Sequence, residues 1–175
     1  MVQVVNGRTC LVRERSICMG NKFPKKVACV FCTGGTRASG CEYGCIGCGK
    51  CVEACRKDAI HLNEYNVAEV DSEKCVNCGL CMKACPKGLI RSRLYDACFE
   101  PLCSNHDDGR TARQECQFSC IACGSCVRSC PCGAVSLSDN CAVIDDAACL
   151  VCGFCATHCP RKVIVDLSGI ISIRQ

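Results

Sequence analysis

The sequence contains no tryptophan, only 5% aromatic residues and three histidines. A large aromatic core is therefore excluded, and 175 residues leave room for one modest domain or two very small ones. Long apolar runs are missing as well. No stretch approaches the ~18 residues that crossing a membrane requires, and the run from Cys29 to Cys32 is a single strand at most. The opening "MVQVVNGRTC" has no basic region followed by an apolar one, so no secretory leader is expected. Walker loops, dinucleotide fingerprints and zinc-protease helices are absent. No nucleophile–base pair stands in a catalytic context, so the chain reads as no enzyme on its own.

Cysteine is what the sequence has in excess, 26 of 175 residues. With so thin a core, something other than apolar burial must hold the fold. Thiolates bound to metal in a reducing, cytoplasmic setting account for this better than disulfides do.

Written as spacings, the cysteines form one pattern four times. Cys45-x2-Cys48-x2-Cys51-x3-Cys55 precedes Cys75-x2-Cys78-x2-Cys81-x3-Cys85-Pro86. Cys120-x2-Cys123-x2-Cys126-x3-Cys130-Pro131 precedes Cys149-x2-Cys152-x2-Cys155-x3-Cys159-Pro160. Nineteen residues separate the first pair of runs and eighteen the second. The connecting segments, "DAIHLNEYNVAEVDSEKC" and "GAVSLSDNCAVIDDAAC", also align. Each reads as two short strands around a polar turn, Asn63 to Asn66 or Ser138 to Asn140. The apolar runs "GLI" and "KVIV" follow and can close a small sheet.

The expected fold is α+β: two tandem ferredoxin-like 4Fe-4S modules of short strands and helices, stabilised by their clusters. Residues 1–40 are an N-terminal extension containing cysteines, 41–97 the first two-cluster module, 98–115 a linker, and 116–175 the second module. Within the linker, "SNHDDGRTARQ" reads as a solvated surface loop.

C-x2-C-x2-C-x3-C-P is the signature of two-cluster ferredoxins. Three cysteines on a tight loop surround one cubane, and the fourth, already on the next helix, ligates the other. The spacing predicts crossed quartets. Cys45, Cys48, Cys51 and Cys85 hold one [4Fe-4S] cluster, and Cys75, Cys78, Cys81 and Cys55 its neighbour. Cys120, Cys123, Cys126 and Cys159 hold a third, and Cys149, Cys152, Cys155 and Cys130 a fourth. Zinc is the competing reading, but zinc ribbons use separated C-x2-C knuckles rather than four ligands crowded together. The formal charge of +4 does not indicate nucleic acid, because four clusters with their thiolates would turn it to about −4.

Several cysteines fall outside these sets. Cys41 mirrors Cys116, each four residues before the first ligand of its module, and Cys41 is expected to be spare. Cys132 and Cys141 sit in strand-like contexts as small apolar residues. Cys29-x2-Cys32 has the form of a metal knuckle, which Cys98 and Cys103, or Cys10 and Cys18, would complete as a fifth site. Arg56 stands where the other runs have proline, and His158 adjoins ligand Cys159 within reach of a sulfur.

"CEYGCIGCGKCVEACRKDAIHL", "VDSEKCVNCGLCMKACPKGLI", "CSNHDDGRTARQECQFSCIACGSCVRSCP" and "AVIDDAACLVCGFCATHCP" resemble, in order, the polyferredoxin region of RnfB over about residues 29–165. RnfB proteins are iron–sulfur components of the membrane-associated Rnf ferredoxin:NAD oxidoreductase. Members usually begin with a membrane-anchoring helix and a further cysteine-rich domain, which this sequence does not show. The resemblance implies electron relay by a shortened, soluble relative. Its partners would be a catalytic redox subunit and a ferredoxin or flavoprotein donor. A freely diffusing polyferredoxin and a redox- or oxygen-sensing regulator are the alternatives.

Overall fold

The computed structural model describes residues 2–5, 8–11, 25–35, 40–169 and 171. Val2–Val5 (β1) and Arg8–Leu11 (β2) form an antiparallel hairpin. Beyond it, among the described residues, two units share one element order, the second with an additional helix, each built around its own small apolar core.

In the first unit Lys26–Val30 (β3) leads to Lys50–Glu53 (α1), the hairpin Ile60–Leu62 (β4) and Ala68–Val70 (β5), Leu80–Ala84 (α2) and Ile90–Leu94 (β6). Four consecutive buried residues, Val27 to Val30, draw β3 inward. It pairs antiparallel with β6, Lys26 opposite Leu94 and Val30 opposite Ile90. The stretch read from sequence as an extension thus supplies a strand to the first unit.

The second unit opens with Phe99–Pro101 (β7), taken from the stretch read as linker, which pairs antiparallel with Ile164–Asp166 (β10). Between them come Gly109–Glu115 (α3), Ser125–Ser129 (α4), the hairpin Val135–Ser138 (β8) and Cys141–Ile144 (β9), and Phe154–Thr157 (α5). Asp139 and Asn140 both have positive φ, 47° and 60°, and turn the β8–β9 hairpin in two residues. Such a primed turn matches the natural twist of paired strands. In the β4–β5 turn the Asn63 side chain instead accepts the N–H groups of Tyr65 and Val67, each at 3.0 Å.

The polar segment expected as a loop contains a helix, α3. Asp108 caps it, its carboxylate accepting the N–H groups of Arg110 at 2.9 Å and Thr111 at 3.3 Å. Ala112 is the buried anchor on an otherwise polar surface, so hydrophobic periodicity gave no sign of it.

The two units agree in detail. Phe31 N–H donates to the Leu89 carbonyl at 2.8 Å, and Leu102 N–H to Val163 at 3.0 Å. Asp71 N–H donates to Ala59, and Asp145 N–H to Ala134, each at 2.8 Å. Their carbonyls then accept from Cys75 and Cys149, at 3.0 and 2.9 Å. These two aspartates, which spacing did not single out, fix where the second cysteine loop of each unit begins.

Candidate metal centres

Each cysteine loop is shaped by two left-handed backbone positions. The residue before the second cysteine is Gly47, Asn77, Ala122 or Val151, with φ of 63°, 52°, 50° and 56°. The residue after it is Gly49, Gly79, Gly124 or Gly153, with φ between 68° and 78°, and each of these starts the short helix carrying the third cysteine. A β-branched residue rarely accepts positive φ. That Val151 does so indicates that the curl of the loop outweighs the preference of the side chain.

The curl brings the sulfurs to the walls of shared cavities. Cys45, Cys48, Cys51 and Cys85 line one small cavity together with Val30, Ile46 and Leu89. A second is lined by Cys55, Cys75, Cys78 and Cys81. A third is lined by Cys120, Cys123, Cys126 and Cys159. In the remaining quartet the Cys155 thiol is pushed up to about 12 by burial, then by the sulfurs of Cys149 and Cys152, with Cys130 adding to the effect.

The electrostatics describe sites made for a cationic guest. Burial raises Cys51, with Cys45 and Cys85 reinforcing it; burial and Cys75 raise Cys81; burial, Cys120 and Cys159 raise Cys126. Ionising four adjacent thiols in an apolar pocket is unfavourable unless positive charge sits among them. Backbone donors already point at several of these sulfurs. Ala28 N–H reaches Cys75 and Ala59 N–H reaches Cys55, each at 3.3 Å, and Val151 N–H reaches Cys149 at 3.4 Å. Such bonds orient thiolate ligands and tune what they hold. Among the described residues no three His, Cys, Asp or Glu side chains close on a point suited to one bare ion. Thiolates spread around a cavity fit a polynuclear core instead, so the residues present fit a [4Fe-4S] cubane.

Comparison with known proteins agrees. Residues 44–89 match the 4Fe-4S dicluster domain, and residues 117–135 match a 4Fe-4S binding domain. Over 115 residues the chain is 41% identical to the RnfB component of the Na(+)-translocating ferredoxin:NAD(+) oxidoreductase complex of Acetobacterium woodii. The chain is thus similar to RnfB over that stretch and carries 4Fe-4S ferredoxin-type sequence in both halves. That alignment covers 65% of the chain but only 33% of the relative, so the chain spans about a third of that protein's length. A chain of the formate dehydrogenase–heterodisulfide reductase–formylmethanofuran dehydrogenase complex from Methanospirillum hungatei matches over 70% of this chain and 51% of itself. Its identity is 21% and its TM-score 0.28, a likeness on which nothing is built. Among the described residues no helix is long and apolar enough to cross a membrane.

Other expected residues fall elsewhere. Cys29 is buried in β3, where Arg93 and Glu100 act on its thiol. The Cys98 thiol donates to the Asp96 carbonyl at 3.5 Å, and Cys98 packs on the core of the second unit. Of the expected set Cys29, Cys32, Cys98 and Cys103, Cys32 packs on the core of the first unit and Cys98 on that of the second, which separates these two. Cys18 lies outside the described residues, as does the Cys10 side chain. Cys132 occupies a turn rather than a strand, its sulfur 3.6 Å from that of Cys130. His158 packs edge-on against Phe154, with Nδ1 2.9 Å from the Phe154 carbonyl, so that nitrogen is engaged away from sulfur.

Proposed function

We propose that the chain is the electron-relay subunit of a larger oxidoreductase, holding four [4Fe-4S] clusters on the sixteen cysteines of the crossed quartets. The observation that carries this reading is the composition of the cavities: Cys85 joins Cys45, Cys48 and Cys51, Cys55 joins Cys75, Cys78 and Cys81, and Cys159 joins Cys120, Cys123 and Cys126. Each cluster supplies a site that accepts and returns one electron. The polypeptide holds these sites in apolar pockets and aims N–H groups at their ligands, which stabilises the negative charge an added electron brings.

The chain itself converts no substrate in this reading. Its partners are a catalytic redox subunit and a ferredoxin or flavoprotein that exchanges electrons with it. Ile46 and Val76 are 61% and 59% exposed and stand in the same loops as the exposed cysteines Cys48 and Cys78. An apolar side chain beside a near-surface cluster gives an incoming redox protein a dry contact over a short path.

The test is anoxic purification of the full chain, with iron and acid-labile sulfide analysis and paramagnetic resonance on reduction. The expected result is a brown protein with iron and sulfide in equal amounts, at least about sixteen of each, travelling with a catalytic polypeptide from its source. A colourless, folded protein without labile sulfide would overturn the reading.

A further inference from the structure

Four cysteines outside the quartets come together from both units. Cys32 lies two residues beyond the end of β3, and Cys103 two beyond the end of β7. Cys41 and Cys116 each precede the first ligand of their unit by four residues. Ser104 Oγ donates to the Phe31 carbonyl at 3.1 Å, joining the segment of Cys103 to that of Cys32. Gly40 abuts Glu115, whose Cα would stand 3.4 Å from a Cβ built on the glycine, and this joins Cys41 to Cys116. Asn105 spans the other pair, its N–H donating to the Cys103 sulfur at 3.5 Å and its Nδ2 to the Cys41 sulfur at 3.6 Å. The sulfurs feel one another: Cys103 and Cys116 both act on Cys41, and Cys103 and Cys32 both act on Cys116.

Every one of these sulfurs receives a backbone N–H. Cys45 donates to Cys32 at 3.3 Å, Cys120 to Cys103 at 3.3 Å, and Phe118 to Cys116 at 3.4 Å, while Tyr43 donates to Cys41. A neutral thiol is a weak acceptor and needs no such provision; a metal-bound thiolate does. Arg161 adds a cation, its Nη2 donating to the Cys116 carbonyl at 2.6 Å. As in the quartets, the four sulfurs do not close on a point suited to a single ion, which favours a cluster over zinc.

We propose that Cys32, Cys41, Cys103 and Cys116 hold a fifth iron–sulfur cubane, seated between the two units. Two of its ligands come from each unit at equivalent positions. The N–H groups aimed at Cys32 and Cys103 belong to Cys45 and Cys120, the leading ligands of the first and third quartets. The fifth site therefore connects the two units into one conductor. Its cluster type follows the reading of the quartets, but its ligands are argued independently of them.

The test counts iron, sulfide and zinc in the anoxically reconstituted full chain and in a Cys41→Ser/Cys103→Ser variant, with Cys29→Ser/Cys98→Ser as control. The wild type and the control should each hold about 20 irons and 20 sulfides, and the variant about 16 of each. A wild-type count of about 16, undiminished in the variant, would overturn the fifth site and leave the quartets standing. So would one zinc per chain in place of the last four irons. About 16 irons falling to about 12 would uphold the fifth site and remove one quartet instead. Should the variant fail to fold, the wild-type count still decides, and Cys116→Ser provides a milder loss of one ligand.

Discussion

Cys85 lines the same cavity as Cys51, not the one lined by Cys81, four residues before it. In the proposed relay each unit would thereby be stitched through both of its metal centres. Replacing Cys85 with serine should damage the cluster of Cys45, Cys48 and Cys51 and spare that of Cys75, Cys78 and Cys81; Cys55→Ser should do the reverse. Paramagnetic resonance of the reduced proteins would separate the two losses. Identical spectra from both variants would contradict crossed ligation.

Gly47 and Gly79 share a left-handed backbone but not their surroundings. A Cβ on Gly47 would meet Asn66 Cβ at 2.8 Å and its carbonyl at 2.9 Å, whereas one on Gly79 meets nothing within 4 Å. Gly79→Ala should cost about 1 kcal/mol, the penalty for an L-residue at positive φ. Gly47→Ala adds a clash with backbone and should cost more, loosening the first cavity. Thermal bleaching of the visible absorbance should start at a lower temperature for Gly47→Ala than for Gly79→Ala.

Glu100 is pushed up to about 7 by burial first, then by Asp146, with Arg93 opposing. Its folded-state value lies above the ordinary carboxylate value of 4.5, so the folded chain holds this proton more tightly than the unfolded one. The contribution to stability falls as pH rises from about 4.5 to about 7 and is flat above that. Glu100→Gln should therefore raise the melting temperature at pH 8, with the gain shrinking toward pH 5. A gain that is constant across this range would show that the carboxylate charge is not its source.

Asn105 is 1% exposed, and each of its polar atoms has a partner. Besides Cys41 and Cys103, it accepts the Asp107 N–H on Oδ1 at 2.8 Å and the Cys141 thiol on its carbonyl at 2.9 Å. Asn105→Ala leaves buried partners unsatisfied and should cost about 1–3 kcal/mol. Asn105→Asp should not rescue it, because a carboxylate oxygen cannot donate to the Cys41 sulfur. Comparing the melting temperatures of the two variants checks this.

The grouping of cysteines around shared cavities was legible in their x2-x2-x3 spacing, but their placement was not: the third cysteine of each run sits on the short helix, and the fourth, expected there, lies beyond it, with Cys85 and Cys130 extended. The hairpins were legible through Asn63, Asn66, Asp139 and Asn140, whose side chains tolerate or make turns. Long-range pairing was not. β3 finds its partner β6 more than a quarter of the chain away, and nothing local in Lys26–Val30 distinguishes a joined strand from a free one. Helix α3 stayed hidden because its stability begins at the Asp108 cap rather than in an apolar stripe. Val151 carries no sequence signal for a left-handed turn; position within the loop imposes it.

The segment from Cys103 to His106 is mortised into both halves. Ser104 holds Phe31, Asn105 holds Cys41, and His106 meets Tyr43 edge-on while its Nδ1 lies 2.9 Å from the Asp139 carbonyl. No hinge can open there without breaking several of these contacts together. The spacing between the halves is thus tied to several contacts at once, and in the proposed relay a change of the distance between the units would have to break them together.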